Sequence, residues 1–269
     1  MQTMYDVVVV GSGFGGSVSA LRVAQAGKSV LVLERGKDYQ SHDFPRNMQD
    51  VNSVLWQYPR RPDSQGLFDI RFLSDVGVTC SAGVGGGSLI YSNIHVRPDS
   101  SVFESPRWPE EITLKSLTPY YDKVASIFDV CPIPKDILLP KRDLFWECAK
   151  HLNVEVFDPD QAVNWQRCEY CGECAFGCKH NAKNSLQSTY LRQAADAGAD
   201  IQAQALVTII EPTFKGYYVH YRDLKNGGVK KQIKARRVIL AAGTLGTNEL
   251  LFRNRDSYKT LGDLSRKLG

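Results

Sequence analysis

The sequence predicts an α/β protein built on a Rossmann-like unit. Three observations predict it. An apolar, β-branched run at 5–10 is cut by the loop Gly11-Ser12-Gly13-Phe14-Gly15-Gly16. Helical apolar spacing follows over 17–26, and a second apolar run at 29–34 ends on an acid, Glu34. Two more glycine clusters recur far along the chain, GVGGGS at 83–88 and AAGTLGT at 241–247.

Residues 5–10 carry no polar alternation beyond Asp6, which reads as a parallel strand buried on both faces. The helix over 17–26 stops at Gly27, and 29–34 is the second strand of a βαβ unit. From 36 to about 75 the chain is polar and rich in Pro, Arg and Asp, hence irregular or peripheral. Thr118 before Pro119 reads as a helix start, cap then first-turn proline. Residues 142–152 and about 188–197 read as further helices, the latter ended by Gly198. Strands are expected at 205–210, 217–221 and 232–240, with a Lys225-Asn226-Gly227-Gly228 turn before the last.

Each part of the first loop has a chemical reason. Gly11 permits the tight turn, Gly13 admits a pyrophosphate against the backbone, and Gly16 lets helix and strand pack closely. Ser12, Phe14 and Gly15 complete the loop, which opens a helix whose N-terminus turns N–H groups and a positive dipole end toward phosphate. Glu34 suits a ribose hydroxyl and disfavours a 2′-phosphate, while its neighbour Arg35 leaves that choice open. The loop alone does not decide between FAD and NAD.

Composition narrows the partners. With 269 residues, 23% charged and a net charge of +4, the chain is an ordinary globular protein with scattered basic residues. Lys230, Lys231, Lys234, Arg236 and Arg237 are not interleaved with stacking aromatics, so no nucleic-acid partner is expected and a solvated face is the reading. No stretch approaches the roughly twenty apolar residues of a transmembrane helix. The N-terminus runs directly into the first strand without a cleavable leader, which predicts a cytoplasmic location. Thiols are reduced there, so clustered cysteines point to metal or catalysis rather than disulfides.

The segments Gly83-Val84-Gly85-Gly86-Gly87-Ser88 and 238–251 resemble the glucose–methanol–choline (GMC) oxidoreductase family, its cholesterol oxidase-like branch most of all. Lys183-Asn184-Ser185-Leu186 and Thr189-Tyr190-Leu191 add to the likeness. The resemblance implies FAD, and oxidation of a CH–OH group of an alcohol or sterol-like substrate by hydride transfer to flavin N5. It implies a discontinuous Rossmann-like FAD-binding domain from 1–40, 76–95 and 200–269. Residues 41–75 and 96–199 become excursions and part of an incomplete second (substrate) domain, including the Cys-rich loop 168–178. Gly85, Gly86, Gly87 and Ser88, with Tyr91, Ser92 and Asn93 after them, are expected along the isoalloxazine ring. Ala242, Gly243, Thr244 and Thr247 are expected to close the nucleotide site, and Val207 to meet the adenine through its backbone. Tyr91, Ser92 and Asn93 depart from the small and amide residues of cholesterol oxidases, so the substrate does not carry over.

The family's catalytic His and Asn lie in the C-terminal half of a longer protein, and no residue here matches them. Catalytic residues are therefore expected beyond residue 269, and the chain reads as an N-terminal fragment. The five scattered histidines read as surface or hydrogen-bonding residues. Electrons from the flavin would pass to oxygen or to an acceptor protein.

Cys168, Cys171, Cys174 and Cys178 have ferredoxin-like C-x2-C-x2-C-x3-C spacing. Gly172 and Gly177 argue for a loop, whose N–H groups can turn toward sulfur. Three outcomes stay open: a 4Fe–4S cluster, a zinc site, and a metal-free structural loop. A cluster would relay electrons and make the enzyme a dehydrogenase. The alternative readings of the chain are an iron–sulfur electron-transfer flavoprotein and a non-catalytic FAD-binding remnant.

Overall fold

A computed structural model describes residues 4–47, 49–106 and 108–269. The expected FAD-binding segment 1–40 thus has its first three positions outside the described residues. The chain forms two compact units. The first takes the chain up to Tyr91, then Ala175–Lys179 and Ser185–Gly269; the second takes Ser92–Cys174 and His180–Asn184.

The first unit opens with strand β1 (Met4–Val10), helix α1 (Phe14–Gln25) and strand β2 (Val30–Leu33). A single-turn helix α2 (Val51–Val54) and the hairpin β3 (Phe68–Phe72) and β4 (Gly77–Ser81) follow. The second unit holds strand β5 (Ile94–His95), helices α3 (Leu114–Ile127) and α4 (Pro140–Leu152), and strand β6 (Asp160–Gln161). The first unit resumes with α5 (Arg192–Asp196), β7 (Asp200–Gln202), β8 (Ala205–Thr213), β9 (Gly216–Asp223), β10 (Val229–Leu240) and α6 (Gly243–Phe252).

A six-stranded sheet in the order β7-β2-β1-β10-β9-β8 organises the first unit. β7, β2, β1 and β10 run parallel, and β8, β9 and β10 form an antiparallel meander. The register sets Leu33, Val10 and Leu240 side by side, so three strands end at one edge of the sheet. Val8, Val9, Leu31 and Val32 are fully buried, each stabilising the fold by roughly 1.5–3 kcal/mol. α1 ends at Ala26 and Gly27, the latter at φ +69° as a left-handed stop requires.

Residues 41–75, set apart in the sequence reading, fold into the first unit. The reason is apolar content hidden among polar neighbours: Phe44, Val54, Leu67 and Phe68 bury themselves with Tyr39 and Leu89. Residues 185–199 also join the first unit, and 92–95 join the second.

The helix start expected at Thr118 is corrected. α3 begins five residues earlier because Thr113 and Ser116 form a reciprocal capping box, leaving Pro119 inside the helix. Around α4 the second unit exposes Leu138, Leu144, Phe145, Leu152 and Phe157.

Candidate functional site

The three glycine segments, more than two hundred residues apart in sequence at the extremes, meet at the C-terminal ends of β1, β2 and β10. A Cβ on Gly16 would lie 2.0 Å from the Gly11 carbonyl oxygen, so only glycine lets α1 settle against the strand end. Gly11, at φ +95°, would place a Cβ 2.5 Å from the Ala241 carbonyl oxygen, which ties the first segment to the third. Gly86 would place one 2.7 Å from the Gly13 Cα, which ties the second to the first. At Gly13 the direction a Cβ would take meets nothing within 4 Å. It is the N-cap of α1 and supplies no side-chain cap to the first-turn N–H groups. Two glycines are thus required by packing, and the one between them borders open space.

Ser12 holds this arrangement together. Its buried hydroxyl donates to Glu34 Oε2 at 2.7 Å and accepts from the Gly85 N–H at 3.0 Å. The Ser12 N–H donates to the same carboxylate oxygen at 3.0 Å, and the Gly36 N–H donates to Oε1 at 2.9 Å. A carboxylate accepts about four hydrogen bonds, and three positions on Glu34 are taken, which leaves capacity for an outside hydroxyl. Ser88 repeats the device one step on: its hydroxyl donates to the Gly85 carbonyl at 2.7 Å and accepts from the Leu186 N–H at 2.9 Å. The sequence reading named both serines without these roles. Their partners lie 73 and 98 residues away, beyond any local signal.

Arg35 turns away from Glu34. Its guanidinium lies 2.8 Å from Asp69 Oδ2 and over the Trp56 ring at 5.0 Å. Asp69 also receives Arg71 Nη2 at 2.8 Å, and Arg71 in turn reaches Glu249 on α6. Burial opposes ionisation of Asp69, but the Arg71 hydrogen bonds and the Arg35 charge outweigh it and hold its carboxyl below the usual carboxylate range.

Of the remaining expected residues, Gly87 sits in the 3₁₀ turn after Gly85, and Tyr91 packs edge-on against Phe14 at 6.1 Å between centroids. Ser92 and Asn93 fall in the second unit, where Asn93 is buried at φ +64° with Oδ1 lacking a hydrogen-bond partner. Val207 is buried on β8, two residues beyond Ala205, whose N–H donates to the Glu34 carbonyl at 2.7 Å. Ala242 caps α6, and Gly243, Thr244 and Thr247 line a cleft of about 490 Å³ with Gly15, Ala241 and Ser19. Ser19 was not foreseen; its place one helical turn after Gly15 was the available signal.

The cysteine run is divided between the two units. Cys168, Cys171 and Cys174 belong to the second unit and Cys178 to the first, and none of the seven cysteines forms a disulfide. Among the described residues, no group of three or more His, Cys, Asp or Glu side chains could hold a metal ion. Backbone contacts anchor the run instead. Lys183 Nζ donates to the Cys174 carbonyl at 2.8 Å, and Arg46 Nη2 donates to the Gly177 carbonyl at 3.0 Å. Gly172 and Gly177 take left-handed φ, so the run is a loop, as their positions led us to expect. His42 pairs with Asp43 and His220 with Glu211, while burial pushes the His95 imidazole below its usual value.

A family model for the GMC oxidoreductases matches residues 5–254. The chain belongs to the GMC oxidoreductase family. GMC members are FAD enzymes acting on CH–OH groups of alcohols and sterols. A cholesterol oxidase from Acinetobacter baumannii is 31% identical over 300 residues, covering 98% of this chain and 53% of the relative. A cholesterol oxidase from Mycobacterium tuberculosis (strain ATCC 25618 / H37Rv) is also 31% identical, covering 100% of this chain and 51% of its own length. The chain therefore spans about half the length of the curated relatives it matches. The solved structure of pyridoxine 4-oxidase from Mesorbium loti shares the fold at a TM-score of 0.64 with 16% identity, over 93% of this chain and 52% of that one. Among the described residues, no helix is long and apolar enough to cross a membrane.

Proposed function

We propose that this chain carries the FAD-binding part of a GMC-type oxidoreductase that oxidises an alcohol or sterol-like substrate. The observation that carries the reading is the interlock of the three glycine segments around the open face of Gly13. A ligand with a pyrophosphate fits that face, because the α1 N-terminus presents its dipole there and no Cβ intrudes. Glu34 retains acceptor capacity for a ribose hydroxyl. Val207 is suited to meet adenine by its backbone, and Gly85, Gly86, Gly87, Ser88 and Tyr91 to line a flat ring. Ala242, Gly243, Thr244 and Thr247 close the nucleotide side.

When bound, FAD supplies N5 as the acceptor of hydride from the substrate carbon. The chain's own contribution is to hold and orient: Ser12 fixes the Glu34 carboxylate, and Ser88 fixes the second glycine turn. With Arg35 committed to Asp69, a 2′-phosphate finds no free guanidinium beside Glu34, which favours FAD over NADP-type ligands. Relatives named as oxidases favour oxygen as the electron acceptor.

The test is spectroscopic. Purified protein should be yellow, and the apoprotein should take up FAD in a fluorescence titration. A colourless protein that takes up no FAD in a fluorescence titration would overturn the reading.

A further inference from the structure

The tip of the β8–β9 hairpin is a feature that cofactor binding does not use. Phe214 and Lys215 form its two-residue turn, and Phe214 is 100% exposed. A ring left wholly in water at a protruding turn gives up all the stabilisation that burial would bring. Behind it, the outer face of the meander is basic. The register sets Lys234 beside Tyr218 and Lys230 beside Arg222, while the alternate residues Val219, Tyr221, Ile233 and Ala235 point into the core. Lys234 Nζ lies over the Tyr218 ring at 5.3 Å. Arg236 is exposed next to Gly216, close to the turn.

Two acids share this face: Glu211, which pairs with His220 at 2.9 Å, and Asp6, which lies 3.6 Å from Arg236. Lys215, Arg222, Lys230, Lys234 and Arg236 outnumber them, so the face keeps a positive excess. Lys234 pairs in register with Met4, at the start of β1, whereas Gly11 follows the end of that strand. Lys234 and Arg236, beside the aromatic tip, therefore sit level with the start of β1, whereas Arg222 and Lys230 lie toward the Glu34 end of β8.

We propose that this hairpin tip and basic face dock onto an anionic phospholipid bilayer. Phe214 enters the headgroup region while Lys215, Lys234 and Arg236 meet lipid phosphates, the pairing of apolar and electrostatic terms that surface binding needs. Lipid is favoured over an acidic protein because a bilayer interface accepts a protruding ring anywhere in its plane. A protein partner would have to supply a matching pocket. The inference does not depend on the cofactor reading.

The experiment is vesicle co-sedimentation of the purified protein with phosphatidylcholine alone and with added phosphatidylserine. Binding is expected only with phosphatidylserine and should fade as salt is raised. Phe214→Ser should weaken it about tenfold, and Lys234→Glu about twentyfold. Both side chains are exposed, so folding is not at risk, and FAD content is expected to stay that of the parent protein. A Phe214→Trp variant should show a blue-shifted emission on phosphatidylserine vesicles. Absence of binding overturns the proposal. So does binding unchanged by either substitution, and so does binding lost with Lys234→Glu but untouched by Phe214→Ser, which would show a purely electrostatic contact that the aromatic tip does not share.

Discussion

At the first glycine loop a Cβ on Gly16 would lie 2.0 Å from a backbone oxygen, whereas at the cysteine run a Cβ on Gly172 would meet nothing within 4 Å. Both regions announce themselves in sequence by close spacing, yet the spacings encode different demands. The glycine spacing is a demand of backbone on backbone, and the chain meets it by itself through contacts with 241 and with the 83–88 turn. The cysteine spacing is a demand of side chains on an ion: four thiolates repel one another unless a cation gathers them. In this structure the loop is anchored through its carbonyls.

The sharpest way to break that contrast is Gly16→Val. A side chain forced into the Gly11 carbonyl should cost about 3 kcal/mol or more, read as a lower midpoint in urea unfolding. A variant within about 0.5 kcal/mol of the parent would show that the interlock is not required by packing.

Ser12→Ala comes next. It leaves the Gly85 N–H without its acceptor and removes one hydrogen bond from Glu34, at a cost of about 2 kcal/mol. Affinity for FAD should fall in parallel, since the ribose acid is no longer fixed; unchanged affinity with lowered stability would confine Ser12 to a structural role.

Asp69 sharpens the picture at the periphery of the same region. Its carboxyl is depressed in the folded protein, so its contribution is complete above the unfolded value of about 3.9 and is lost as pH falls through the lower folded value. Asp69→Asn should remove roughly 1.5 kcal/mol at neutral pH and flatten the acid limb of a stability–pH curve below about pH 4. An acid limb identical to the parent's would show that another carboxylate dominates it.

The smallest effect is expected at the cysteine run. Cys171 is exposed, and Cys171→Ser should change stability by less than about 0.5 kcal/mol. A large loss, accompanied by loss of bound iron or zinc, would show that a metal gathers thiols the chain alone leaves apart.

Where the sequence was legible, the signal was local. The β1–α1–β2 unit follows from apolar runs of four to seven residues broken by glycine; its strand ends fall within a residue of those expected, while α1 begins three residues early, inside the glycine loop. Where it was not, a nearer signal lost to a tertiary or capping one. Pro119 looked like a first-turn proline, but the Thr113–Ser116 box starts the helix upstream. Residues 41–75 looked peripheral by composition, but a few apolar side chains decide burial there. Arg35 left open whether a 2′-phosphate could sit beside Glu34, and it pairs with Asp69 and lies over Trp56.

The amino-acid sequence by itself determined the family, the α/β class and the places where backbone must approach backbone, because glycine content and apolar periodicity act within a few residues. Only the tertiary structure decided what those glycines touch, that Ser12 binds Glu34 and the second turn at once, and that carbonyls anchor the cysteine loop. Those outcomes rest on contacts between residues tens to hundreds of positions apart, whose geometry is set by sheet order and register rather than by any pattern along the chain.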